Sequence, residues 1–127
     1  MNLNLSNKNV LITGGTGGIG KTLVKAMNNE GANLLITGTN EEKLQKFVQN
    51  FSGKVDYVAC DLSNIKNISN ILLSIEKVFD NKVDVLVNNA GITCDNIALR
   101  MKEEEWNKVI NINLNSSFFL SKEIIKL

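Results

Sequence analysis

The sequence predicts an α/β protein built on a doubly wound parallel sheet, and three observations carry that expectation. Short apolar runs alternate with longer stretches of helical periodicity along the whole chain. A glycine-rich turn separates the first apolar run from the first helical stretch, which is where sheets of this kind receive ligands. The chain has 127 residues, below the roughly 150 expected of an average domain, so it buries a single core. Four strands, each followed by a helix, then join into one parallel sheet through right-handed crossovers.

The first strand is Asn9-Val10-Leu11-Ile12-Thr13, and Gly20 opens a helix through Lys21 to Met27. Gly31 ends it, because glycine takes a left-handed C-terminal cap at least cost. Residues 33–37 (Asn-Leu-Leu-Ile-Thr) form the second strand. Asn40 caps a helix with Leu44, Phe47, Val48 and Phe51 on one stripe, and Glu41 and Glu42 suit its positive end. Residues 55–60 read as the third strand, before a helix from about Ser63 on which Ile68, Ile71, Leu72, Ile75 and Phe79 recur. The fourth strand covers residues 83–87. After Met101 a last helix begins with Glu103, Glu104 and Glu105, turns Trp106, Val109 and Ile110 inward, and continues to Leu127. Proline is absent and no segment repeats or is low in complexity, so nothing marks a linker or second domain.

Composition removes several function classes. Hydrophobic residues at 43% and charged residues at 21% suit a globular protein, against disorder. Fourteen basic residues against 13 acidic ones leave a net charge of +1, without the excess that nucleic-acid phosphates demand. No histidine is present, which excludes His-activated nucleophiles, His bases and His metal ligands. Cys60 and Cys94 form no C-x-x-C pair and read as free thiols, so no metal site is expected. The first residues lack the apolar core of a secretion signal, and no apolar run approaches the roughly 18 residues of a membrane span. A cytoplasmic protein without membrane or nucleic-acid partners is expected.

The turn Thr13-Gly14-Gly15-Thr16-Gly17-Gly18-Ile19-Gly20-Lys21-Thr22 lets backbone approach a phosphate, and the helix that follows offers free N–H groups and partial positive charge. Two chemistries use such a turn. Gly15-x-Gly17-x-x-Gly20 fits a dinucleotide fingerprint, and Gly15-x-x-x-x-Gly20-Lys21-Thr22 fits the phosphate loop of nucleotide hydrolases. In the hydrolase reading Lys21 reaches terminal phosphates, Thr22 holds Mg²⁺ and Asp61 supports the metal. In the dinucleotide reading Lys21 is a solvated first-turn residue.

Read as Thr13-Gly14-x-x-x-Gly18-Ile19-Gly20, the turn resembles that of the short-chain dehydrogenase/reductases. Cys60-Asp61-Leu62-Ser63, Val87-Asn88-Asn89-Ala90-Gly91 and Asn111-Ile112-Asn113-Leu114 resemble three later segments of that family in order and position. The resemblance covers essentially the whole chain and implies a Rossmann-type fold, here the N-terminal half with four strands and flanking helices. It implies that Gly14, Gly15, Thr16, Gly17, Gly18, Ile19 and Gly20 cradle a coenzyme and that Asp61 and Leu62 form the adenine turn. It also implies that Asn89, Ala90 and Gly91 line the cleft, and that Asn113 is the catalytic asparagine holding a water of a proton relay. Residues 89–96, with Leu99-Arg100-Met101 and Glu105-Trp106-Asn107, look most like the bacterial 3-oxoacyl-acyl-carrier-protein reductases. Those reduce a 3-oxoacyl thioester on acyl carrier protein in fatty-acid synthesis and assemble as homotetramers. Cys94 departs from that pattern, replacing a basic residue common in such reductases.

In dinucleotide folds an acid at the end of the second strand bonds the ribose of NAD and repels the extra phosphate of NADP. Gly38 stands at that position, and Thr39 and Asn40 donate hydrogen bonds to phosphate, so NADP(H) is the expected coenzyme. The family's catalytic tyrosine lies four residues before a lysine. The one tyrosine here, Tyr57, is in a strand, and position 61 is aspartate. The expectation is therefore a single dinucleotide-binding domain over residues 1–127, truncated before the catalytic serine, tyrosine and lysine, and inactive alone. A non-catalytic NADP(H)-binding module and a phosphate-loop hydrolase are the alternatives. An open fourth strand beside apolar helix faces would make the isolated chain self-associate.

Overall fold

A computed structural model describes residues 2–127. Its strands are β1 (Asn9–Ile12), β2 (Asn33–Gly38), β3 (Val55–Ala59) and β4 (Val85–Val87). They pair in parallel in the order β3-β2-β1-β4. The helices are α1 (Gly18–Asn29), α2 (Glu41–Val48), α3 (Ile68–Phe79), α4 (Glu103–Ile110) and α5 (Ser116–Ile125). The doubly wound architecture read from the sequence is present.

Strand side chains alternate between faces, and here that alternation sorts the core into two layers. Val10, Ile12, Leu34 and Ile36 pack with Val24 of α1 and with Leu44 and Phe47 of α2. Leu11 and Leu35, one residue out of phase, pack with Ile68, Ile71 and Ile75 of α3 and Leu120 of α5. Both faces of β1 and β2 are thus covered, which is why these strands read as continuous apolar runs.

Local signals place most element ends. The Asn40 carboxamide accepts from Lys43 N at 2.9 Å and starts α2. Gly31 follows α1 with φ of +82°, and its N–H donates to Asn28 O at 3.0 Å. Glu105 reaches back to accept from Lys102 N at 2.8 Å at the head of α4.

Several boundaries differ from expectation. The first helix begins at Gly18, before Gly20, because the turn itself winds into the helix. α2 ends at Val48, and Phe51 packs from beyond it, edge-on to Phe47 with ring centroids 5.1 Å apart. Ser63 lies in a turn; a short 3₁₀ segment, Ile65–Asn67, capped by Asn64, precedes α3. The third strand stops one residue before Cys60. The fourth omits Val83 and Asp84, since the Asp84 carboxylate itself accepts from Asn9 N at 2.8 Å. That bond and Lys82 hold the Asp84 carboxyl below its usual range.

The expected final helix is two helices joined by a π-helical turn, Asn111–Asn115. Trp106, expected inside, is 59% exposed. No helix among the described residues is long and apolar enough to cross a membrane.

Candidate functional site

The carboxyl ends of the parallel strands open into a cleft of about 490 Å³, where neighbours on either side of β1 diverge. This is the crevice that a sheet of this order offers a ligand. The glycine turn and the first residues of α1 form one wall, Thr37, Gly38 and Thr39 a second, Cys60 and Leu62 a third, and residues 89–92 with Ile112 the far end.

A set of hydrogen bonds locks the turn to the β4 loop. Thr13, only 2% exposed, accepts through Oγ1 from Asn89 N at 3.1 Å and Ala90 N at 3.0 Å. The Asn89 carboxamide donates to Thr13 O at 3.1 Å and Gly14 O at 3.0 Å. From the other side, Thr37 Oγ1 accepts from Gly14 N at 3.3 Å. The ends of the three neighbouring strands β2, β1 and β4 are thereby held in one geometry.

The glycines divide by what surrounds them. A β-carbon on Gly20 would run into the Gly14 carbonyl, and one on Gly14, whose φ is +68°, would lie 2.9 Å from Ala90 Cα. One on Gly15 would press on Ile36 Cβ at 2.7 Å. These are demanded by the protein's own packing. At Gly18 an added β-carbon meets nothing within 4 Å, and at Gly17 only the Gly14 carbonyl at 3.5 Å. Space is thus left above the N-terminus of α1, whose first N–H groups and dipole attract an anion.

Of the residues singled out from sequence, Gly14, Thr16, Gly17, Gly18, Ile19, Gly20, Thr39, Leu62, Asn89, Ala90 and Gly91 line the cleft. Gly15 does not; it backs onto Ile36, and its N–H donates to Thr37 O at 2.9 Å. Asp61 stands exposed between two lining residues, with Oδ1 accepting from Ser63 N at 2.9 Å. The Ser63 bonds hold its carboxyl below the usual range. Asn113 spends both ends of its carboxamide on the backbone of one residue, accepting from Ile92 N and donating to Ile92 O, each at 2.9 Å. Its side chain therefore positions the cleft's far end.

Sequence reasoning did not assign Thr37, Cys60, Ile92 or Ile112 to the wall. The signal was available for the first two, since Thr37 is near the carboxyl end of β2 and Cys60 directly follows β3. Burial and the Asp61 charge push the Cys60 thiol up to about 11, so it stays protonated and lines the wall as a neutral group.

The hydrolase reading gives no role to the Asn89 lock or to residues 89–92 at the far end of the cleft. Lys21 is half-buried, with Nζ 5.9 Å from the Phe47 ring centroid, rather than simply solvated or extended over the turn. The Thr22 hydroxyl donates to Gly18 O at 3.4 Å within the helix.

A parallel sheet with its reversal at β1, and an anion-attracting turn facing it, defines a doubly wound, Rossmann-type protein. The chain belongs to the short-chain dehydrogenase family, whose profile, described as short chain dehydrogenase, matches residues 8–127. It is 40% identical over 124 residues to 3-oxoacyl-acyl-carrier-protein reductase FabG of Rickettsia bellii, covering 98% of this chain and 49% of that protein. The namesake reductase of Vibrio cholerae is 39% identical over 98% of this chain and 50% of its own length. A crystal structure of a short chain dehydrogenase from Bacillus anthracis superposes with a TM-score of 0.85 at 36% identity, over 94% of this chain and 50% of that one. The chain spans about half the length of the curated relatives it matches.

Proposed function

We propose that this chain is the coenzyme-binding part of an NADPH-dependent oxidoreductase that reduces 3-oxoacyl thioesters of acyl carrier protein in cytoplasmic fatty-acid synthesis. The observation that carries the coenzyme assignment is the open floor at Gly17 and Gly18 above α1, on a turn braced by the Asn89 carboxamide. The similarity to reductases of that name supports the substrate.

In this reading the residues fit a nicotinamide dinucleotide. The N–H groups opening α1 and the Thr16 hydroxyl receive the pyrophosphate, while Gly14 and Gly20 hold the turn closed enough to present them. Cys60 and Leu62 flank the adenine, whose amine is accepted by Asp61. Gly38 brings no negative charge to the ribose, and Thr39 donates to its phosphate. Ala90, Gly91 and Ile92 border the nicotinamide end, fixed there by Asn113, which also serves the proton relay. The coenzyme supplies a hydride to the substrate carbonyl.

In this reading the proton donor comes from another segment, since the one tyrosine, Tyr57, lies on the edge strand β3, paired with Ile36. We place the contacts of a homotetramer on the exposed apolar face of α4 and α5. A non-catalytic NADP(H)-binding module is the second reading, favoured by a cleft whose walls all come from this chain.

Titrating the chain with NADPH and NADH, followed by nicotinamide fluorescence, tests the assignment. NADPH binding tighter than NADH is expected; no binding of either, or tighter NADH, refutes it. Adding a chain that carries the serine, tyrosine and lysine, with a 3-oxoacyl thioester, separates the two readings. Turnover supports the reductase, and binding without turnover the module.

A further inference from the structure

We propose that Lys21 supplies the positive charge for a coenzyme 2′-phosphate, reaching it from the first turn of α1; this rests on the coenzyme reading above. The adenosine ribose of a dinucleotide bound at this turn lies beside the end of β2. A second phosphate there is a concentrated negative charge in surroundings that offer little to balance it. Gly17 and Gly38 carry no side chain, and Thr39 is neutral. Asn40, whose side-chain oxygen accepts from Lys43 N, offers at most a neutral amide donor. Glu41 and Glu42 stand in the first turn of α2, and Lys46 is drawn to Glu42 at 3.3 Å.

Lys21 meets that need from a different element. It follows Gly17 by one helical turn, its N–H donating to Gly17 O at 2.9 Å. Its ammonium rests 5.9 Å from the centre of the Phe47 ring, across the junction of α1 and α2. Phe47 and Leu44 share a buried cluster, and Leu44 packs against Gly38, 3.2 Å from where a β-carbon would stand. The aromatic perch therefore sits in the same packed unit as the end of β2. A cation held by a ring face is loosely held, and a lysine on four flexible carbons redirects its charge without moving the backbone.

Adenosine 2′,5′-bisphosphate and adenosine 5′-monophosphate differ only by the phosphate in question, so calorimetric titration of the 127-residue chain with both isolates it. The wild type is expected to bind the bisphosphate more tightly. Lys21→Gln should weaken the bisphosphate roughly tenfold, the size expected for one charge-assisted hydrogen bond, and leave the monophosphate unchanged. Lys21→Arg should retain the preference, and an unchanged melting temperature excludes unfolding as the cause. Equal weakening of both ligands, no weakening, or a selective loss in Lys43→Gln instead overturns the proposal. Wild-type binding of both ligands with equal affinity overturns the role of Lys21 while leaving a dinucleotide site. Binding of neither removes the coenzyme reading and this inference with it.

Discussion

Gly18 and Gly20 stand two residues apart in the first turn of α1 and are glycine for different reasons. The missing side chain at Gly20 makes room for the Gly14 carbonyl, whereas the one at Gly18 leaves open space over the helix terminus. Gly20→Ala should therefore destabilise the fold by about 1–3 kcal/mol through overpacking. Gly18→Ala should alter stability by no more than about 0.5 kcal/mol yet weaken NADPH markedly, since the methyl enters the space assigned to pyrophosphate. Thermal melts with NADPH titrations on both variants check this pair. Wild-type affinity in Gly18→Ala would mean that no ligand uses that space.

The same turn was legible in the sequence as a pattern of glycines, but the pattern did not say which glycine serves packing and which serves a ligand. That distinction depends on Ile36, Ala90 and Asn89, residues 21 to 76 positions away from the glycines they meet.

Among the elements, α2 was written locally: Asn40 caps it, and acidic residues follow in its first turn. The π turn between α4 and α5 was not. Within it the Asn113 carboxamide pairs with both the N–H and the C=O of Ile92, a residue 21 positions earlier. Helical periodicity over residues 103–127 does not register one widened turn, and π segments commonly mark functional sites. Asn113→Ala should cost about 1–2 kcal/mol from two lost hydrogen bonds. It should also raise amide exchange at Ile92 well above that of Thr13, whose N–H stays bonded to Val87 O. Unaltered exchange at Ile92 would show that the helix shape, not the amide, fixes the loop.

Over the whole molecule, β3 and β4 each have one unpaired edge, and the three β4 residues remain only half-buried. Beside β4, the helices from residue 103 onward expose Trp106, Leu114 and Phe118, and Ile125 is 83% exposed. An open strand edge next to an apolar face favours association. Sedimentation velocity over a range of concentrations should show species heavier than the 14.0 kDa chain, growing with concentration. A single 14.0 kDa species throughout would count against that.

Apolar alternation and the glycine turn were enough to read the order of strands and helices, because each depends on spacing within one segment. The parallel register, the split of the core between two helical layers, and the outward face of Trp106 were not readable that way. They follow from which surfaces meet when β1 takes β2 on one side and β4 on the other. The cleft belongs to this second kind of information: residues around positions 14, 38, 60 and 90 surround one space because parallel strands bring their carboxyl ends together, and Ile112 closes it from the π turn.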